Sequence, residues 1–361
     1  MEIWIPYGEV ESLVTLKAEN LGETLDTPPE SHLDQIAANL LERAKGTEGV
    51  LVCDLKPPTV KVVKALAAQS AEMRFVAPAP RRLEAEVPES KERVTQLGPP
   101  SARLPGEGRG KASPEVVSPS KRLVLATGEP DPLLGYVDAG VALALAGVEG
   151  ARRLAFERRA GDEPGPLKDN PSYDALTGLL SGLTGLSYAT LVARGGEPYS
   201  VIEGGMKEAR DNYSSPAIPT AKGAIIGAGG KGHDETLSHS IRHVVGALSA
   251  VKKGGEVIIV AECRAGLGST ALENFCSGKV TDGFLKRGSY VEGLEEIYYL
   301  IQLRDNYSVT LLSSLPEIYA SGKLKFKTAR GAGEALDKAF GSIGRAAKLN
   351  VVTRASETVL A

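Results

Sequence analysis

Residues 223–269 read GAIIGAGGKGHDETLSHSIRHVVGALSAVKKGGEVIIVAECRAGLGS, and this stretch decides the fold. Its first apolar run ends at a glycine pair, and a capped, helix-forming segment follows. The run EVIIVA then predicts a second strand, because continuous apolar runs are typical of strands covered on both faces. That strand ends at a polar cluster, Glu262, Cys263 and Arg264. A strand, a helix and a strand in this order predict an α/β unit with parallel strands.

The same order of elements occurs near residue 50. The run GVLVCDL predicts a buried strand, and KPPTVKVVKALAAQSA predicts a helix that begins at a proline pair. Asp54 and Lys56 therefore follow a parallel strand, at the edge where open α/β sheets usually bind their ligands. Strands and helices alternate along the rest of the chain. The predicted fold class is α/β, with two α/β domains and a cleft between them.

Composition predicts how the chain divides into domains. We expect residues 1–215 to form an N-terminal domain and residues 216–361 a C-terminal α/β domain, with the last segment packing back on the first domain. Eight of the 22 prolines fall in residues 78–120, where little periodic hydrophobicity is present. This composition predicts a mobile, proline-rich connection.

Bulk properties exclude several classes of protein. A net charge of −3 over 361 residues gives no reason to expect nucleic acid or an anionic membrane as a partner. No apolar run reaches the ~20 residues of a membrane helix, and the first residues do not resemble a signal peptide. The three cysteines are scattered without CxxC spacing, which argues against a disulfide scaffold. Together these features predict a cytoplasmic protein.

Several short motifs stand in the order in which one enzyme family carries them. Residues 52–66, VCDLKPPTVKVVKAL, are similar to its strand–DxTRPxP–helix element, and residues 129–140, EPDPLLGYVDAG, to its PHxxAGYSGG stretch. Gly229, Gly230, Asp234 and Leu237 fall on its GGxPxDxxLYQxxK pattern. The chain thus resembles the nickel-dependent lactate racemase family over nearly its whole length. The resemblance implies the two-domain fold of that family.

The resemblance also implies a chemistry that this sequence does not support. Members of that family shuttle a hydride with a nickel-pincer nucleotide, which is tethered through a lysine, has a histidine ligand to nickel and works with two further histidines. Here no histidine occurs between His32 and His233, and no lysine between Lys121 and Lys168. Asp131 stands where the family has one of its histidines. We therefore do not expect the nickel-pincer nucleotide, and the sequence assigns no other cofactor.

Two hypotheses for the function stay open. The first is a divergent isomerase, a racemase or epimerase that acts on a small 2-hydroxy or sugar acid in the cleft. The second is a non-catalytic sensor or partner subunit of the same fold, in a homo- or hetero-oligomer. The missing histidines favour the second hypothesis, and the polar strand ends favour the first. For the first, the residues expected to move protons are Asp54, Asp131 and His239, and those expected to bind the carboxylate ligand are Lys56, Arg242, Arg264, Gly229 and Gly230.

A metal site is a further possibility on the segment HDETLSHSIRHVV. Glu235, His239 and His243 are spaced by four residues and share one face of the predicted helix. Two imidazoles and a carboxylate at that spacing can bind zinc or nickel. The alternative is that this face points to solvent while the apolar residues face the core. Cys263 likewise has two interpretations, a thiolate activated by Arg264 or a part of the scaffold.

Overall fold

The computed structural model describes residues 1–97, 121–203, 217–280 and 290–358, together with residue 207 and two short strands at 102–103 and 111–112. Two six-stranded sheets and a set of helices account for most of these residues. The α-helices of the described residues, numbered in chain order, are α1 (Leu33–Ala44), α2 (Pro57–Gln69), α3 (Pro80–Glu86), α4 (Ala139–Gly147), α5 (Ala151–Arg158), α6 (Pro171–Leu180), α7 (Leu237–Gly246), α8 (Thr270–Cys276), α9 (Leu294–Asn306), α10 (Glu317–Ser321) and α11 (Ala332–Ile343). None of these helices combines the length and the apolar character needed to cross a bilayer.

The strands are numbered in the same way. They are β1 (Glu2–Tyr7), β2 (Val10–Thr15), β3 (Leu21–Leu25), β4 (Val50–Val52), β5 (Phe75–Ala77), β6 (Val94–Gln96), β7 (Ala102–Arg103), β8 (Lys111–Ala112), β9 (Arg122–Thr127), β10 (Glu129–Asp131), β11 (Gly135–Val137), β12 (Leu186–Arg194), β13 (Glu197–Glu203), β14 (Ala221–Gly227), β15 (Val251–Val260), β16 (Ser308–Leu312), β17 (Lys327–Ala329) and β18 (Leu349–Val352).

Both large sheets are built mainly from parallel strands. The first has the order β13-β12-β9-β4-β5-β6, in which only the hairpin of β12 and β13 is antiparallel. The second has the order β17-β16-β15-β14-β18-β3 and is parallel throughout. Helices connect successive parallel strands. The predicted fold class, two α/β domains with a cleft between them, is confirmed.

Residues 223–269 contribute the centre of the second sheet. Strands β14 and β15 pair in parallel, and α7 connects them. The Thr236 side chain accepts a hydrogen bond from the His239 backbone N–H and caps the start of α7. The apolar face of α7 is buried as predicted, through Leu237, Ile241, Val244 and Val245. Local periodicity was therefore enough to place this unit.

The first residues of the chain belong with the second sheet. Strand β3 pairs in parallel with β18 at the edge of that sheet. The hairpin of β1 and β2 packs on the same sheet, because Ile5 and Val14 share an apolar cluster with Ile225 and Val351. The structure therefore places residues 2–25 with strands from beyond residue 220, across the expected division. The division after residue 215 stays a prediction, and it falls among residues 208–216, outside the described part of the chain.

The expected mobile connection does not begin at residue 78. Helix α3 and strand β6 lie within residues 78–97, and β6 pairs with β5 in the first sheet. Leu83 and Val87 are completely buried, so this part is packed structure. The rest of the predicted connection, apart from strands β7 and β8, lies outside the described residues.

A shared apolar core joins the two sheets. One cluster includes Leu143 of α4 and Leu176 of α6, which cover the first sheet, together with Ile241 of α7 and Leu300 of α9, which cover the second. The segment after β18 adds a polar connection. There, Glu357 accepts hydrogen bonds from the backbone N–H groups of residues 195 and 196, in the turn between β12 and β13. The walls of the cleft are thus held by packed helices and by this contact.

Candidate functional site

A cleft of about 810 Å³ lies where the carboxyl ends of the central strands meet. Its walls are the β1–β2 turn, the start of α2, α3, the β12–β13 turn and the loop of residues 229–235 that follows β14. Open α/β sheets bind ligands at this edge, and the cleft volume is typical of small-molecule sites.

Asp54 lies at this edge, as predicted, but both of its carboxylate oxygens are occupied. Oδ1 accepts a hydrogen bond from the Lys56 backbone N–H at 2.9 Å, and Oδ2 accepts one from the Thr127 backbone N–H at 2.7 Å. Asp54 therefore ties the β4–α2 turn to the end of β9. The contacts give it a structural role, and its predicted part in proton transfer stays a prediction.

Lys56 forms a buried ion pair with a residue that sequence reasoning missed. Its Nζ lies 2.8 Å from Oε1 of Glu129 and also donates to the Thr127 carbonyl at 3.2 Å. Burial opposes the charge of Lys56, but Glu129 and then Asp54 outweigh it and raise the pKa of the ammonium. Burial alone would raise the pKa of the Glu129 carboxyl. Lys56 and the neighbouring histidines outweigh burial and hold this pKa well below its usual value.

Two histidines surround the other carboxylate oxygen of Glu129. Oε2 lies 3.5 Å from Nδ1 of His233 and 3.7 Å from Nε2 of His243. The two imidazole rings meet edge to face, with centroids 5.2 Å apart. Both histidines are buried, and burial lowers the pKa of His243 to about 3, so its ring is neutral at physiological pH. Among the described residues, these three form the group whose ligand atoms lie within 4.8 Å of one another.

The metal triad expected from spacing does not converge in the structure. His239 is exposed on α7, and Glu235 lies 3.6 Å from Arg82 of α3. His243, in contrast, turns inward toward Glu129 and His233. The alternative of a solvent-facing histidine surface therefore holds for His239 and is wrong for His243. Four-residue spacing identified one of the three grouped residues, since His233 precedes the helix and Glu129 belongs to strand β10, far away in sequence.

Arg242 and Asp131 belong to a buried ionic network instead of the cleft wall. The Arg242 Nε donates to Oε1 of Glu296 at 2.7 Å, and its Nη2 contacts the same oxygen. Asp131 lies 3.0 Å from Arg152, which also contacts Glu295. The network joins α5, α7 and α9. Sequence predicted that Arg242 binds a carboxylate and that Asp131 moves a proton. Because both side chains already have internal partners, they are poorly placed for these roles.

The remaining predicted residues differ in position. Gly229 and Gly230 line the cleft and have φ values of 128° and 76°. A Cβ at Gly229 would lie 2.1 Å from the Ser356 hydroxyl, so only glycine allows this close approach. Arg264 is about half exposed, lies 3.8 Å from Glu262 and is not among the cleft-lining residues. The two glycines thus remain site candidates, and Arg264 lies outside the wall.

Cys263 is not an activated thiolate. Burial raises its pKa to about 12, the opposite direction from the one that activation requires. Its backbone adopts φ 52°, and its N–H donates to the Asp234 carbonyl at 2.8 Å. Asp234 in turn accepts a hydrogen bond from the Gly8 N–H at 2.8 Å, so this group joins the β1–β2 turn to the loop before α7.

Arg354, which sequence reasoning missed, is the cleft cation without a carboxylate partner among the described residues. Its Nη1 donates to the Gly229 carbonyl at 3.3 Å. Three other cations of the wall are paired, Lys61 with Glu197, Lys231 with Glu9 and Arg82 with Glu235. No sequence motif surrounds Arg354. Its place in the cleft wall depends on the pairing of β18 in the second sheet, which the sequence alone does not show.

The described residues 121–203 do not fit the tether and the histidine ligand that the nickel-pincer nucleotide needs. The described segment 121–203 contains no histidine, and its two lysines, Lys121 and Lys168, are exposed. Of the cleft-wall lysines, Lys61 and Lys231 are ion-paired. The segment therefore lacks a buried lysine for the tether and a histidine for the nickel.

Comparisons with known proteins agree with the architecture. No family model matches the chain, and no curated protein matches it. Among solved structures, the chain is similar to the lactate racemase apoprotein from Thermoanaerobacterium thermosaccharolyticum, with a TM-score of 0.78 and 18% sequence identity over 100% of both chains. This similarity shows a lactate-racemase-like fold along the whole chain.

Proposed function

We propose that this protein binds a small 2-hydroxy acid or sugar acid in the cleft and that its reaction is the racemisation or epimerisation of that acid. The observation that carries the proposal is the guanidinium of Arg354 in the cleft wall, which has no carboxylate partner among the described residues. The similarity to a lactate racemase apoprotein supports the choice of substrate class.

Arg354 has the geometry that a carboxylate anchor needs. A guanidinium has five N–H donors in a planar fork that matches a carboxylate, and the Gly229 carbonyl accepts from one of its nitrogens. The other wall cations already pair with glutamates. An incoming carboxylate therefore meets one cation whose charge no internal carboxylate neutralises, within the described residues.

His233 lies next to this anchor in the cleft wall. A Cβ added at Gly229 would lie 3.2 Å from the Cβ of His233, and the carbonyl of the same glycine contacts Arg354. Behind His233 stands the buried pair of Lys56 and Glu129. Inverting a carbon that bears a hydroxyl requires positioned acid and base groups. We place proton transfer at this polar end of the cleft, and the roles expected for Asp54, Asp131 and His239 stay predictions.

Isothermal titration with a panel of acids tests the binding step. The panel contains D- and L-lactate, D- and L-malate, gluconate and galacturonate. We expect at least one acid to bind, and Arg354→Gln to raise its Kd at least ~10-fold, about 1.4 kcal/mol. Lys231→Gln is the matched control, because Lys231 lines the same cleft but pairs with Glu9. Failure of every acid to bind, or equal losses in both variants, would contradict the proposal.

The second candidate is a non-catalytic sensor or partner subunit of the same fold. The observation in its favour is that Asp54 and Asp131 are both held in internal hydrogen bonds. Chiral chromatography of a bound acid after prolonged incubation separates the candidates. Conversion of one stereoisomer into the other supports the isomerase. Saturable binding with unchanged stereochemistry supports the sensor.

A further inference from the structure

We propose that Glu129, His233 and His243 bind one divalent first-row transition metal ion at the base of the cleft. This site goes beyond the proposed function. It also differs from the nickel-pincer site, because all three ligands are side chains of this chain and no tethered nucleotide takes part. Glu129 begins β10, His233 lies in the loop after β14, and His243 lies on α7.

The distances within the group fit a metal better than a hydrogen bond. A hydrogen bond between an imidazole N–H and a carboxylate spans ~2.7–3.2 Å, shorter than the 3.5 Å and 3.7 Å observed from Glu129 Oε2 to the two rings. Two ligand atoms at ~2.0–2.2 Å from a tetrahedral ion lie roughly 3.4 Å apart. The two separations from Glu129 are close to that value, and the ligand atoms of all three residues lie within 4.8 Å of one another, so the group can close around one ion.

The buried atoms of this group lack other partners. Glu129 Oε2 and His233 Nδ1 are both buried without a hydrogen-bond partner among the described residues, and His243 turns its Nε2 toward the same carboxylate oxygen. Buried polar atoms rarely lack a partner, and a bound ion is one of the usual partners of such atoms. One metal ion would satisfy the carboxylate oxygen and an imidazole nitrogen from each ring.

Lys56 holds the carboxylate in the orientation that a ligand requires. Its Nζ contacts Oε1 of Glu129 at 2.8 Å, which leaves Oε2 turned toward the imidazoles. Partners of this kind orient metal ligands, so we describe Lys56 as a positioning residue. Asp54 lies near Lys56 and adds a second negative charge beside the cation, which offsets the positive charge that an ion brings.

The donor set limits the choice of metal. Two imidazoles and one carboxylate suit zinc, iron, cobalt or nickel better than magnesium or calcium, which prefer oxygen ligands. Three protein ligands leave at least one coordination position free, as in catalytic zinc sites. His233 lines the cleft, so the free position is next to the space in which we place the acid.

Metal binding is measured on the full chain without substrate, so the outcome is independent of the proposed function. The chain is stripped with a chelator, titrated with Zn²⁺ by calorimetry and, in parallel, analysed for bound zinc after dialysis. We expect one equivalent in the wild type and at least ~100-fold weaker binding in Glu129→Gln and His243→Gln. His239→Gln is the control, since His239 is exposed on the same helix, and its affinity should stay within about twofold of the wild type.

Two results would overturn the site. One is a wild-type protein that retains no zinc after dialysis. The other is Glu129→Gln or His243→Gln protein that binds zinc as the wild type does. If these variants do not fold, Co²⁺ added to the wild type decides. Intense visible bands of a four- or five-coordinate centre support the site, and the weak spectrum of the hydrated ion refutes it.

Discussion

Replacing Arg242 by alanine distinguishes a substrate anchor from a structural ion pair. In the structure its Nε lies 2.7 Å from Oε1 of Glu296, whose carboxylate is completely buried. Oε2 of the same group has no hydrogen-bond partner among the described residues. The substitution would therefore leave a buried carboxylate without its counter-ion, and the predicted consequence is lost stability with unchanged affinity for the acid.

The size of the loss follows from the burial of the pair. Removing one partner of a buried ion pair costs about 3–5 kcal/mol. Arg242 retains 22% side-chain exposure, so water can reach the vacated space, and we expect a value near the lower limit, about 3 kcal/mol. The double variant Arg242→Met with Glu296→Leu removes both charges and should lie within ~1 kcal/mol of the wild type.

Urea denaturation measures the three free energies of unfolding, and calorimetry measures the acid affinity of each folded variant. The reasoning predicts a large loss of stability in the single variant and recovery in the double variant. An Arg242→Ala protein of wild-type stability that no longer binds the acid would refute it. That result would return Arg242 to the substrate-binding role expected from sequence.

Three further predictions concern stability. Burial raises the pKa of Cys263 to about 12. Above pH ~9 this thiol therefore ionises in the unfolded chain while it stays protonated in the folded chain. Between pH 9.5 and 11, the free energy of unfolding of the wild type should fall more steeply with pH than that of Cys263→Ala, by ~1.4 kcal/mol per pH unit. Urea denaturation at several pH values measures both slopes, and equal slopes would contradict this. Asp54→Ala should cost about 3 kcal/mol, because two backbone N–H groups lose a charged acceptor, and Asp54→Asn should cost less in the same assay. Gly8→Ala should lower the melting temperature more than Gly266→Ala, since both have positive φ but only Gly8 would place a Cβ 2.1 Å from the Glu262 carboxylate.

Local patterns were sufficient for most of the fold. Continuous apolar runs marked β4, β14 and β15, and the proline pair marked the start of α2. The pairing of β3 with β18 could not be predicted in this way, because it joins segments that are more than 300 residues apart. Strand pairing over such distances leaves no periodic signal in either segment. Composition likewise predicted a mobile connection where α3 and β6 pack into the first domain.

The site was less predictable for a related reason. Polar residues at strand ends were correctly expected at the cleft edge, but sequence does not show which of them pair with one another. Asp54, Asp131 and Arg242 proved to have internal partners. His243 lies beside Val244 at the border of the apolar face, and Glu129, from the distant strand β10, completes its buried surroundings. Arg354 carries no motif, and only the folded chain places it beside Gly229.

The central claim, that Arg354 anchors a small carboxylate in the cleft, is tested most directly by NMR of the arginine side chains. The Nε–H signals of Arg354 and Arg242 are assigned with Arg354→Gln and with the double variant at Arg242 and Glu296, and the wild type is then titrated with the acid that binds in calorimetry. We predict a saturable shift of the Arg354 signal and a constant Arg242 signal, because Arg242 already donates to Glu296. A saturable shift of Arg242 with Arg354 unchanged would contradict the claim.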